Sequence, residues 1–68
     1  MITEVKISRM RRGVMQKDLA AKMGVTGGYL SLIESRKVKA PAQRQRQIAG
    51  FLDGCESDFF DAETGLAI

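Results

Sequence analysis

The chain has 68 residues, which allows one domain, and its single cysteine, Cys55, excludes an internal disulfide. With no histidine and one thiol there is no ligand set for a zinc site, and no apolar run approaches the ~20 residues of a membrane span. The net charge of +3 conceals an asymmetry: residues 1–50 hold all 11 Lys and Arg against Glu4, Asp18 and Glu34, whereas residues 51–68 hold Asp53, Glu56, Asp58, Asp61 and Glu63 and no base.

Helix 1 is predicted from about residue 3 to Arg12. Thr3 is placed to cap it, Glu4 sits in the first turn where the helix dipole favours an anion, and Gly13 stops it. Ile2 and Val5 are expected to face inward. Helix 2 is predicted over Gln16 to Met23, where Leu19, Ala20 and Met23 make one apolar stripe. Gly24 suits a left-handed turn residue, and Val25 is expected to plug the turn. Thr26 is an N-cap whose hydroxyl can accept from residue 28 or 29, so helix 3 is predicted from there to about Ser35. Tyr29, Leu30 and Ile33 form its inner stripe, and Gly27, Gly28, Ser31, Leu32 and Ser35 face outward.

Residues 36–40 read as a basic loop. Pro41 suits the first turn of helix 4, predicted over about 41 to 52 and ended by Gly54, with Ile48, Ala49 and Leu52 inward. A last turn from Glu56 or Ser57 to Phe60 is expected to return Phe59 or Phe60 to the core. Residues 61–68 read as a frayed acidic tail behind a domain spanning 1–60. No strand-length alternation and no internal repeat is visible.

Helices 2 and 3, joined by a tight glycine turn with the small Ala20 at their crossing, have the spacing of a helix-turn-helix. That motif offers its second helix to the DNA major groove. A basic body attracts a polyanion, and the acidic end is expected to point away from it.

These residues resemble the Cro and phage-repressor family of helix-turn-helix regulators, the XRE family, over about residues 5–60. The signature is Gln16, Leu19-Ala20, Met23-Gly24-Val25-Thr26, Leu30-Ser31 and Ile33-Glu34, followed by a basic loop and Pro41. The resemblance implies an all-α fold, a lambda-repressor-like bundle of four to five short helices. It implies a sequence-specific transcriptional regulator, a repressor or controller, that reads double-stranded DNA with helix 3 as a homodimer. It implies base reading by Thr26, Gly27, Gly28, Ser31 and Leu32, a phosphate contact from Gln16, and a structural ion pair between Arg9 and Glu34. Lys17, Arg36, Lys37, Lys39 and Arg44 cluster around the reading helix as candidate phosphate clamps.

Two departures stand out. Gly27 and Gly28 replace base-reading side chains of many relatives, leaving either a helix start without a DNA role or a close approach of the backbone to DNA. Arg36 stands where the family has glycine, so either Arg36 takes a strained positive φ or the loop follows another path. Helix 4, the last turn and Phe59 or Phe60 are the expected dimer surface. The alternative function is an antitoxin or protein-interaction module that uses the same scaffold, with Phe59, Phe60 and the acidic tail as its contact. Nothing in the chain suggests an enzyme, a metal, a cofactor, a small-molecule ligand or a membrane partner. The absence of a visible signal segment implies a cytoplasmic, nucleoid-associated location.

Overall fold

Four apolar stripes at helical spacing need one another to leave water, and together they close a single core. The computed structural model describes residues 2–68. The order is α1 (Glu4–Arg11), α2 (Gln16–Met23), α3 (Gly27–Glu34), α4 (Ala42–Phe51) and α5 (Glu56–Phe59). The described residues form an all-α bundle of five short helices. Among the described residues the sole extended pairing is an isolated antiparallel bridge between Phe60 and Ala67.

Val5 of α1, Leu19, Ala20 and Met23 of α2, Leu30 and Ile33 of α3, and Ile48 and Ala49 of α4 are buried together, with Leu52, Phe59 and Phe60 closing the far end. Val14, Val25, Tyr29 and Val38 are half-buried against this cluster. Removing such apolar side chains from water is the main stabilising force in a helical domain this small. Each helix here is shorter than the ~12–15 residues that an isolated helix needs, so packing rather than propensity holds them.

The α2–α3 turn follows local chemistry. Gly24 takes φ 73, a left-handed conformation that costs glycine little. Its amide donates to the Ala21 carbonyl (3.1 Å) and the Val25 amide to the Ala20 carbonyl (3.0 Å), which gives partners to two of the carbonyls in the last turn of α2. The Thr26 hydroxyl then accepts from the Tyr29 amide (3.1 Å) and opens α3.

Five expectations are corrected. Ile2 is 68% exposed and lies outside the core. Thr3 holds the N-cap position of α1, but its hydroxyl leaves the cap and donates to the Glu34 carbonyl (2.7 Å). Pro41 is the residue before α4 rather than part of its first turn, and its carbonyl accepts from the Gln45 amide (2.9 Å). The left-handed residue that ends α4 is Asp53 (φ 54), not Gly54. Gly54 is required for another reason: a Cβ there would lie 2.8 Å from the Phe59 ring.

The fifth correction concerns residues 61–68, which are not frayed. Ala67 is fully buried. The Ala40 amide donates to the Gly65 carbonyl (2.8 Å), the Ile68 amide to the Phe59 carbonyl (3.0 Å) and the Glu4 amide to the Ile68 carbonyl (2.6 Å). The segment thereby ties the start of α1, the end of α5 and the 36–41 loop together. Asp61 makes the turn, its Oδ1 accepting from the amides of Glu63 (2.8 Å) and Thr64 (3.4 Å). Two of the acidic residues thus serve local structure, because the Asp58 carboxylate likewise accepts from the Cys55 amide (2.8 Å) at the start of α5.

Candidate functional site

The two sides of α3 differ sharply. Leu30 and Ile33 are fully buried, whereas Gly28, Ser31 and Leu32 face solvent beside the exposed Thr26. Leu32 is 41% exposed, an apolar side chain left in water on a helix whose apolar neighbours are buried. Gly27 and Ser35, expected on the more outward side of the helix, are half-buried. A Cβ at Gly27 would meet nothing within 4 Å, and one at Gly28 would meet only the Thr26 hydroxyl at 4.0 Å. No contact inside the protein therefore demands either glycine.

Glu34 is the junction that holds α3 in place. It is 3% exposed, and its carboxylate accepts from Arg9 Nε at Oε2 (2.8 Å) and from Arg9 Nη2 at Oε1 (3.2 Å). Gln16 Nε2 adds a third bond to Oε1 (3.2 Å). Arg9 Nη1 also donates to the Val14 carbonyl (2.9 Å), and Thr3 bonds the Glu34 carbonyl. One buried carboxylate thus joins α1, the start of α2 and the end of α3. The two-pronged geometry is what a guanidinium supplies and an ammonium does not. Among the described residues no buried side-chain polar atom lacks a partner.

The Gln16 amide sits beside the outer side of α3, half-buried, with one N–H committed to Glu34. It lines a shallow cleft of about 60 Å³ with Lys6, Ser31, Glu34 and Ser35. Lys17, Arg36, Lys37 and Lys39 are exposed. Arg36 takes φ 64, a left-handed conformation that costs a residue with a Cβ roughly 1–2 kcal/mol. The Lys37 amide donates to the Leu32 carbonyl (2.9 Å) and closes the end of α3.

Arg44 differs from the other candidate clamps. Its Nη1 donates to the Met23 carbonyl (3.2 Å) at the end of α2 and to Gln47 Oε1 (2.8 Å). It is half-buried and ties α4 to α2, a structural role that the sequence did not announce. Phe59 and Phe60 are corrected: both are buried, which removes them as a dimer surface or as a contact for a partner protein. Phe51, 42% exposed on α4, is the exposed aromatic that remains at that end.

Sequence reasoning missed Thr3 and Lys6. Thr3 reads locally as a cap, and nothing near it in the chain announces a bond to a carbonyl 31 residues away. Lys6 had a signal. It lies three residues before Arg9 and so shares a face of α1 with the arginine that pairs with Glu34.

No family model matches this chain, and no curated protein or solved structure matches it. Function is therefore read from the residues themselves. Among the described residues no group of three or more His, Cys, Asp or Glu side chains could hold a metal ion, and no helix is long and apolar enough to cross a membrane.

Proposed function

We propose that the protein is a sequence-specific DNA-binding regulator of transcription that lays α3 in the major groove and works as a homodimer in the cytoplasm. The observation that carries this reading is the free outer side of α3, with the exposed cations Arg36, Lys37 and Lys39 following it in the chain and Lys17 exposed on α2, while its inner side is locked to α1 through Glu34. A rigid helix with one side open and cations on its rim can enter a groove about 12 Å wide and meet phosphates on both edges. Ser31 can bond a base edge or a phosphate, and Leu32 can touch a thymine methyl. Gln16 and the four exposed cations set register through phosphates, which carry no sequence information.

The need for two copies follows from size. The longest dimension of the Cα frame is 28 Å, shorter than the ~34 Å of one duplex turn, and few side chains on α3 can read bases. Two copies on a two-fold site would supply the affinity and selectivity that one lacks. The alternative, an antitoxin-like interaction module, loses Phe59 and Phe60 as contacts because both are buried, and keeps the exposed acidic residues Asp61 and Glu63. The reading involves no catalysis, no cofactor and no small-molecule ligand.

Selection of bound fragments from random duplexes would give the site, its symmetry and its half-site spacing. With that duplex, Gln16→Ala and Lys39→Ala should each weaken binding in a mobility-shift assay while leaving the circular dichroism unchanged. Unaltered binding in both variants would overturn the docking proposed.

A further inference from the structure

The cationic loop after α3 is held at its two ends by different parts of the fold. Its first half hangs from α3 itself. The Arg36 amide donates to the Ile33 carbonyl (3.2 Å) and the Lys37 amide to the Leu32 carbonyl (2.9 Å). These bonds are local and form with the helix. The second half is held from far along the chain. Lys39 is exposed between the half-buried Val38 and the buried Ala40. The Ala40 amide donates to the Gly65 carbonyl (2.8 Å), and the Ala40 carbonyl accepts from Gln45 Nε2 (2.8 Å). Both backbone polar groups of the residue after Lys39 are therefore occupied.

Gly65 suits this contact and a side chain does not. It takes φ 74, and a Cβ there would lie 3.3 Å from the Ala40 carbonyl oxygen and 3.4 Å from Lys39 Cβ. Its turn is closed on itself: the Gly65 amide donates to the Asp61 carbonyl (2.8 Å) and the Asp61 amide to the Leu66 carbonyl (2.9 Å). A closed turn is thus pressed against the main chain of an exposed lysine. Among the described residues Lys39 makes no ion pair, so the grip is on its backbone and leaves the ammonium available.

We infer that Gly65 is a positioning residue for DNA binding: through the Ala40 amide it fixes the backbone of Lys39 before the duplex arrives. This rests on the DNA-binding reading and extends the binding apparatus to residues 61–66, outside the helix-turn-helix. Holding a loop in its bound conformation in advance raises affinity, because the entropy of ordering it is not lost on association. Lys37, fixed by α3, does not depend on Gly65 and serves as the internal control.

The test is a pair of double-variant cycles in the affinity of the full chain for a random-sequence duplex. One phosphate contact is worth roughly 15-fold at 50 mM salt, the twentyfold change from 1 M raised to the power 0.9. Gly65→Ala should weaken binding severalfold, and by no more than Lys39→Ala does. In the Lys39→Ala background it should change affinity by less than about twofold. With Lys37→Ala the two losses should multiply. Gln45→Met removes the other bond to Ala40 without touching the turn, and it takes the same place in the cycles should Gly65→Ala not fold. Amide nitrogen relaxation in the free protein gives a readout independent of DNA: the order parameter of Lys39 should fall in either variant and that of Lys37 should not.

Unchanged binding by a folded Gly65→Ala chain would overturn this inference. So would a loss that multiplies with Lys39→Ala, or one that fails to multiply with Lys37→Ala. A Gln45→Met chain without a cooperative melt would assign the Ala40 bonds to stability alone and overturn it as well. The wider reading stands in each of these cases. No salt-dependent binding by the wild type would overturn the wider reading itself.

Discussion

Removing the Arg9 side chain isolates the deepest charge in the molecule. Glu34 is 3% exposed, and of its three carboxylate hydrogen bonds two come from Arg9. In Arg9→Met the Gln16 amide alone faces a buried anion, and the Val14 carbonyl loses its donor as well. Breaking one side of such a pair costs about 3–5 kcal/mol, because the remaining charge stays desolvated without its counter-ion. Domains have roughly 0.05–0.15 kcal/mol of stability per residue, or about 3–10 kcal/mol for a chain of this length. The variant should consequently sit at or near the edge of unfolding at room temperature.

The double variant Arg9→Met, Glu34→Met separates this account from a simple packing loss. It removes the charge together with its partner and fills similar volume with apolar atoms, while the Thr3 bond to the backbone carbonyl of residue 34 survives. Replacement of both partners is often neutral or stabilising, so the double variant should recover most of the loss. Urea unfolding followed by circular dichroism, extrapolated linearly to water, measures all four corners of the cycle. An Arg9→Met cost under about 1 kcal/mol, or a double variant as unstable as the single one, would refute the argument that the unpaired anion sets the penalty.

Three further outcomes are expected. Gly54→Ala forces a methyl to within 2.8 Å of the Phe59 ring, so it should cost about 1–3 kcal/mol and lower the melting temperature by at least about 4 °C. Arg36→Gly releases the left-handed conformation at φ 64 but adds freedom to the unfolded chain, for a net gain of about 0.5 kcal/mol in a thermal melt. The same variant should bind duplex DNA more weakly, with a salt slope reduced by about 0.9, so stability and affinity move in opposite directions. Truncation after Phe60 removes the buried Ala67 and the backbone bonds to Glu4, Phe59 and Ala40, and should abolish the cooperative melt. A truncated chain that melts like the full one would mean that residues 61–68 are dispensable.

The element boundaries were legible because they are set within a few residues of one another. Gly24 followed by Thr26 places the end of α2 and the start of α3, since a left-handed turn residue and an N-capping hydroxyl act on their own neighbours. Leu19, Ala20, Met23, Leu30, Ile33, Ile48 and Ala49 were assigned to the core by helical spacing, and all are buried. The charge asymmetry and the outer side of α3 were readable for the same reason: both depend on residue identity and a 3.6-residue period.

Apart from the Arg9–Glu34 pair, which the resemblance implied, tertiary structure decided where the long-range polar bonds go. Arg44 reads as a surface cation by composition, yet it bonds a carbonyl of α2 that the bundle brings to it. Gly54 reads as a helix stop, yet the ring of Phe59 is what excludes a side chain there. An acidic, uneven stretch such as 61–68 carries no periodic signal. Its long-range bonds, to Glu4, Ala40 and Phe59, exist only after the helices have packed. Local order follows from short-range sterics and capping, and these travel with the sequence. A hydrogen bond between distant residues depends on the whole packed arrangement, so no local pattern encodes it.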